Sequence, residues 1–247
     1  MESDDTKRYS VIIIGATSGI GEALARLYIK KEYIVGLTGR RENKLKALQE
    51  ELGKDSFIQP MDVADVESSV EAFHSLVTKM GVSPDVVILN AGVGNYNKAY
   101  DLTPDLETID INIKGFAALA QTAYQEMKKR GHGTLVGVSS VASYFGYGRA
   151  AAYNASKAFV TRYLSGIRHK ARLDDWRLHV VDIRPGFIET PMIENRPAFL
   201  VISAEKCAQI MYKAICRGKK VAHVPGRWFW IGLLTRLIPD SIIQRFG

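Results

Sequence analysis

The sequence predicts an α/β protein, a doubly wound parallel sheet of about seven strands in a single domain. Three observations predict it. A short apolar run, Val11 to Ile14, passes directly into the glycine-rich string Gly15-Ala16-Thr17-Ser18-Gly19-Ile20-Gly21. Further short apolar runs recur down the chain, separated by stretches with helical spacing. Finally, 247 residues with 47% apolar content, undivided by a linker, repeat or low-complexity stretch, suffice for one full core.

Val11 to Ile14 is β-branched and flanked by polar residues, as a strand buried on two faces should be. Beyond the glycines, Ile20, Leu24, Leu27 and Tyr28 share one helical face, so the glycine string joins a strand end to a helix start. There the free N–H groups and the positive dipole end favour an anion, and residues lacking Cβ let a pyrophosphate approach. A tight strand-to-helix turn uses glycines for geometry as well. A second strand, Tyr33 to Thr38, ends where a dinucleotide fold meets the adenosine ribose, and Gly39-Arg40-Arg41 follows instead of an acid. A carboxylate there suits the ribose of NAD, whereas guanidinium forks pair with a 2′-phosphate. The chain therefore leans to NADP(H) over NAD(H), the alternative being a solvated turn.

Next, Leu45, Leu48 and Leu52 mark a helix to about Leu52, and the strand Phe57 to Met61 ends at Asp62-Val63. Asp62 either accepts from an adenine amino group or serves as a turn or cap aspartate. Asp65 opens a helix carrying Val70, Phe73, Val77 and Met80, and Pro84 precedes the strand Asp85 to Leu89. That strand runs into Asn90-Ala91-Gly92, where Asn90 can brace neighbouring loops and Gly92 to Gly94 lines a cofactor cleft. Thr103-Pro104 reads as a cap and first helical residue of a helix reaching about Lys129 through Gly115. Within it Asn112 lies among Ile109, Ile111, Ile113 and Phe116, as a structural hydrogen-bonder or as part of a site.

Gly131 and Gly133 lead into the strand Thr134 to Val138, which delivers Ser139-Ser140 at its end. Tyr153 follows, and Lys157 lies one helical turn beyond it on the same face. A free tyrosine is nearly all phenol at neutral pH, its pKa being about 10. A nearby ammonium favours the phenolate and lets the tyrosine exchange a proton near neutrality. The Ser140 hydroxyl is placed to hydrogen-bond a substrate carbonyl or alcohol oxygen.

The net charge of +7 and pI of about 9.3 are spread along the chain without a block of like charge, which argues against a nucleic-acid partner. Two cysteines, Cys207 and Cys216, are too few for a disulfide framework and fit a reducing compartment. The tail, residues 1–8, is charged and carries no signal peptide, and no apolar run reaches membrane-spanning length. A cytoplasmic protein is expected, with peripheral membrane contact as an added option.

The GATSGIG string, Asn90-Ala91-Gly92, Asn112, Ser140, the Tyr153-x-x-x-Lys157 pair and Pro185-Gly186 stand in the order and approximate spacing of the short-chain dehydrogenase/reductase family. The chain resembles that family from about Tyr9 to Met192. The resemblance implies a single Rossmann-type domain transferring hydride between a nicotinamide and a carbonyl or alcohol carbon. It implies Tyr153 as general acid/base, Lys157 lowering its pKa and binding the nicotinamide ribose, Ser140 orienting the substrate oxygen, and Asn112 sustaining a water-linked proton relay. Gly15, Ser18, Ile20 and Gly21 would frame the pyrophosphate, Arg40 with Arg41 the 2′-phosphate, Asp62 and Val63 the adenine, and Asn90 and Gly92 the ribose. Pro185-Gly186, the Ile188 backbone and Thr190 would meet the nicotinamide carboxamide. The resemblance also implies a homodimer or homotetramer. Two departures stand out: Gly137 replaces a common asparagine, and the glycine loop lacks the extra basic residue of some NADP enzymes.

The strand Leu178 to Ile183 precedes this segment, and a substrate loop spans about 187–203, its variable part Glu194 to Val201. Ser203 opens a helix to about Arg217, and Lys220 to Val224 is the last strand. Domain residues 9–226 are then followed by an amphipathic extension, 227–247. There Trp230, Leu233, Leu234, Leu237 and Ile238 form one apolar stripe, Arg227 and Arg236 lie outside it, and Pro239 ends it. The stripe packs on its own domain or a sister subunit, caps the substrate cleft, or lies in a membrane interface. Tyr144, Phe145, Tyr147, Phe187 and Phe199 point to an apolar substrate. The expected activity is an NADPH-dependent carbonyl reductase, reversible as an alcohol dehydrogenase. The rivals on the same fold are a non-catalytic dinucleotide sensor and a membrane-attached interaction protein.

Overall fold

Val11, Ile12, Ile13 and Ile14 are all buried, and alternate side chains enter different cores: Val11 and Ile13 one, Ile12 and Ile14 the other. A strand covered on both faces must read as a continuous apolar run. The computed structural model describes residues 8–193 and 199–237. In chain order they form β1 (Ser10–Ile14), α1 (Gly19–Ile29), β2 (Ile34–Gly39), α2 (Glu42–Leu52), β3 (Ser56–Pro60), α3 (Val66–Met80), β4 (Val86–Leu89), α4 (Leu102–Ile109), α5 (Phe116–Arg130) and β5 (His132–Val138). Then come α6 (Ala151–Leu173), β6 (Arg177–Pro185), β7 (Ile188–Glu189), β8 (Ile202–Ser203), α7 (Ala204–Cys216), β9 (Val221–Val224) and α8 (Trp228–Leu237). Residues 1–7, most of the expected variable loop (194–198), and Ile238 with Pro239 lie outside the described residues.

The main sheet has seven parallel strands in the order β3-β2-β1-β4-β5-β6-β9. The strand order reverses between β1 and β4, and a ligand crevice opens beyond the strand ends at such a point. The glycine string follows β1, so it stands there. One core packs α1 and α7 on the sheet through Leu24, Tyr28, Cys207 and Met211; the other packs α3, α5 and α6 through Phe73, Leu76, Leu119, Met127 and Leu164. The expected fold class is the observed one, an α/β Rossmann fold in one domain.

Two helix expectations need correction. The helix expected from Thr103-Pro104 begins at Leu102, with Asp101 in the cap position. Asn97, only 6% exposed, donates through Nδ2 to the Asp101 carbonyl and accepts the Asp101 N–H at Oδ1, fixing the chain's entry earlier. Pro104 stays in the first turn, where its missing N–H costs nothing. The same helix is also not uniform to its end: Asp110–Gly115 forms a π-turn between α4 and α5. At Gly115 the helix passes so close to the turn after β3 that a Cβ would lie 2.0 Å from the Val63 carbonyl oxygen. This irregular turn presents Asn112.

Candidate active site

The strand ends and the loops after them enclose a cavity of about 950 Å³. One end of it is the glycine turn. Gly15 and Ala16 donate N–H bonds to the Thr38 carbonyl, which holds the turn onto β2. Gly21 packs behind it, where any Cβ would come within 2.0 Å of the Gly15 carbonyl oxygen. Asn90 Nδ2 donates to that same carbonyl at 2.8 Å, so the end of β4 braces the turn, as its amide suggested. Ser18 occupies the N-cap position of α1, but its hydroxyl makes no capping bond and instead accepts from Arg41 Nη2 at 2.8 Å.

The two arginines after β2 behave differently. Arg41 also reaches Thr17 Oγ1, at 2.8 Å from Nη2, and so spans the glycine turn. Among the described residues Arg40 has no hydrogen-bond or ion-pair partner; both arginines line the cavity and are exposed. Val63 lines it too. Asp62 does not: it is exposed, and its Oδ1 accepts the Ala64 N–H at 3.1 Å, the local turn bond that spacing left as an alternative.

On the opposite wall, α6 sets Tyr153 and Lys157 one turn apart, both facing the cavity. Lys157 is 5% exposed; its Nζ donates to the Val138 carbonyl at 3.1 Å and lies 5.6 Å from the centre of the Tyr153 ring. Burial pushes the Lys157 ammonium down to about 8, with the Asp182 carboxylate pulling the other way. Ser140 follows β5 and accepts the Ala142 N–H at Oγ while donating to the Pro185 carbonyl. Gly92 lies beside both Lys157 and Asn112, since a Cβ there would stand 3.3 Å from Nζ and 3.1 Å from Asn112 Oδ1. Asn112 sits one layer behind the cavity wall. Its Oδ1 accepts the Val93 N–H, and its Nδ2 donates to the Val93 carbonyl and to Ser156 Oγ. Its side chain thereby clamps the Gly92–Gly94 loop to α6.

Pro185, Gly186, Ile188 and Thr190 close the third side. Thr190 lies over the start of α1, close enough that a Cβ on Gly19 would come within 2.8 Å of its methyl. The aromatic residues Tyr144, Phe145, Tyr147, Phe187 and Phe199 all line the cavity. The space that an asparagine would need at position 137 is filled by Leu164 and Phe116.

Two features escaped sequence reasoning. The first is a polar chain that runs from buried residues to the cavity wall: Ser139 Oγ donates to Asp182, Arg184 pairs with Asp182 at 2.7 Å and donates to Tyr144 OH, and Tyr144 OH meets His223 Nε2 at 2.6 Å. An acid and an arginine two apart in a strand covered on both faces must find buried partners, and Asp182 and Arg184 in β6 were a readable signal of that. The second is the face α8 uses: of the placements left open, the helix takes the one over the cleft, but with Trp228, Ile231, Gly232 and Thr235 and not with the expected stripe. The expected stripe of Trp230, Leu233 and Leu234 faces away from the domain.

Similarity to known proteins agrees with this geometry. Residues 9–200 match the family model described as short chain dehydrogenase. An uncharacterized oxidoreductase of Myxococcus xanthus is 30% identical over 95% of this chain and 94% of its own. An NADP-dependent 3-hydroxy acid dehydrogenase of Escherichia coli K12 is 32% identical over 72% of each chain. The closed form of a serine dehydrogenase complexed with NADP+ superposes with a TM-score of 0.74 at 25% identity, covering 83% of this chain and 88% of that one. With its sheet order, glycine turn and facing tyrosine–lysine pair, this chain belongs to the short-chain dehydrogenase family of oxidoreductases.

Proposed function

We propose that the protein reduces a carbonyl, ketone or aldehyde, to an alcohol with NADPH, and runs in reverse as an alcohol dehydrogenase. One observation carries the reading: Ser140, Tyr153 and Lys157 line the same cavity as the glycine turn and the two arginines. The cavity suits a polyanionic dinucleotide. No Asp or Glu is among its described lining residues, whereas Arg40, Arg41 and Lys157 are, and the N-terminus of α1 opens onto it. Gly15, Ser18 and Ile20 would frame the pyrophosphate, with Gly21 behind them; Arg40 and Arg41 would take the 2′-phosphate, Val63 the adenine, Asn90 and Gly92 the ribose, and Pro185, Gly186, Ile188 and Thr190 the carboxamide.

A nicotinamide held there would supply a hydride to the carbonyl carbon, both electrons of the reduction. Tyr153 would give its phenolic proton to the substrate oxygen, completing the CH–OH group. Lys157, cationic below its pKa of about 8, favours the phenolate left on Tyr153. Ser140 orients the oxygen by hydrogen bonding. Asn112 acts by holding the Gly92–Gly94 loop and α6 together, since its amide is committed to Val93 and Ser156. Related proteins that bind or use NADP support the cofactor, and the unpartnered Arg40 supports its preference over NAD.

A turnover screen with NADPH and NADH across ketones, aldehydes and acyl thioesters tests the reading. Consumption of NADPH with at least one class, and a preference for it over NADH, is expected. Tight NADPH binding with no turnover would instead identify a dinucleotide sensor.

A further inference from the structure

Helix α8 has two apolar faces with different neighbours. Trp228, Ile231, Gly232 and Thr235 recur at helical spacing and line the cavity, with Gly232 set against the Tyr144 ring. Trp230, Leu233 and Leu234 recur on the other side and are 65%, 41% and 58% exposed. The segment before β8 packs at the head of the helix. Phe199, itself lining the cavity and 57% exposed, packs on Trp228 at 5.2 Å between ring centres. Arg227 donates to the Leu200 carbonyl at 3.0 Å and ties that segment to the head of the helix. The apolar surface outside is thus continuous with the apolar lining inside.

A bare face of this kind marks a contact site, and its chemistry selects the partner. Tryptophan beside arginine suits the boundary between headgroups and acyl chains. The α8 sequence contains Arg236 and no acid, Arg227 precedes it, and the chain carries a net charge of +7. The described outer side chains of α8 by themselves fall short of the roughly 800 Å² that each partner contributes to a standard protein interface. A protein seated there would also close the cavity mouth. A lipid surface would open it onto a reservoir of apolar molecules.

We propose that α8 and the Phe199–Val201 segment seat on an anionic lipid surface, and that a lipophilic carbonyl enters the cavity from it. The seat stands on the exposed face; the substrate class rests on the reductase reading. Flotation of the full chain with phosphatidylcholine vesicles, with and without phosphatidylglycerol, tests the seat. The double variant Trp230→Glu/Leu234→Glu is the matched control, because neither side chain lines the cavity. The parent chain floats with the anionic vesicles at low salt, with a blue shift in tryptophan emission, and the variant partitions about tenfold less. NADPH-dependent turnover of a short soluble ketone stays unchanged in the variant, which also reports its fold, while turnover of a long-chain ketone held in anionic vesicles falls about tenfold. Failure of the parent to float, or equal flotation of the variant, overturns the seat. So does a parent dimer, by sedimentation velocity, that the variant makes monomeric, since the face would then join two copies. Flotation without turnover of any carbonyl keeps the seat and overturns the substrate class together with the reductase reading.

Discussion

The Lys157 ammonium lies 5.6 Å from the centre of the Tyr153 ring and is anchored by the Val138 carbonyl at 3.1 Å. It is buried, so its charge acts on the phenol with little screening by water. Tyr153→Phe is expected to lower kcat by about 10²–10⁴-fold, the usual worth of a positioned acid/base. NADPH affinity, read by fluorescence titration, should change little. Lys157→Met should lower both, because the lysine faces the cofactor cleft as well as the phenol.

The same lysine makes stability depend on pH. Its folded pKa of about 8 lies below the ordinary lysine value of 10.5, so between these two pH values the unfolded chain binds more protons. Stability of the cofactor-free protein should therefore rise across that window, by roughly 3 kcal/mol from this group. Urea unfolding of parent and Lys157→Met over pH 7.5 to 10.5 checks it: the difference between their curves carries the slope, and parallel curves would contradict the burial argument.

Arg40 and Arg41 line the cavity, where the proposed function gives them the 2′-phosphate, and Arg41 already bridges Thr17 and Ser18. Arg40→Ala should raise KM for NADPH about tenfold or more, with NADH little affected, since one charge-assisted pair is lost. Arg41→Ala should weaken both cofactors, because it also loosens the glycine turn. Steady-state kinetics with each cofactor separates the two.

Gly21→Ala places a methyl 2.0 Å from the Gly15 carbonyl oxygen. The turn must shift, at a cost of about 1–3 kcal/mol in stability. Cofactor affinity should fall with it, and thermal melts with and without NADPH read both effects.

Beneath the site, Arg184 pairs with Asp182, whose side chain is 2% exposed. Arg184→Met leaves that carboxylate unpaired and should cost about 3–5 kcal/mol in urea unfolding. Replacing both residues by apolar ones should cost less than the single change.

The strand–glycine–helix unit and the Tyr153–Lys157 turn were legible in the sequence because each depends on neighbours within a few residues. So were the strands, whose unbroken apolar runs announce burial on both faces. The Tyr144 and His223 end of the Asp182–Arg184 chain was not, since the fold brings it in from far along the sequence; the Asn97 clamp on Asp101 and the π-turn join near neighbours, but no periodicity marks them.

Helix α8 shows the division most plainly. Periodicity alone gave it one apolar stripe and grouped Trp230, Leu233 and Leu234 on one side, where they stand exposed together. It is silent on which side meets the sheet, because spacing fixes angles around a helix axis and not the helix's rotation against its neighbours. Packing made that choice: Gly232 admits the Tyr144 ring and Trp228 lies across Gly186, so the smaller stripe turned inward over the cavity and the larger one was left facing out.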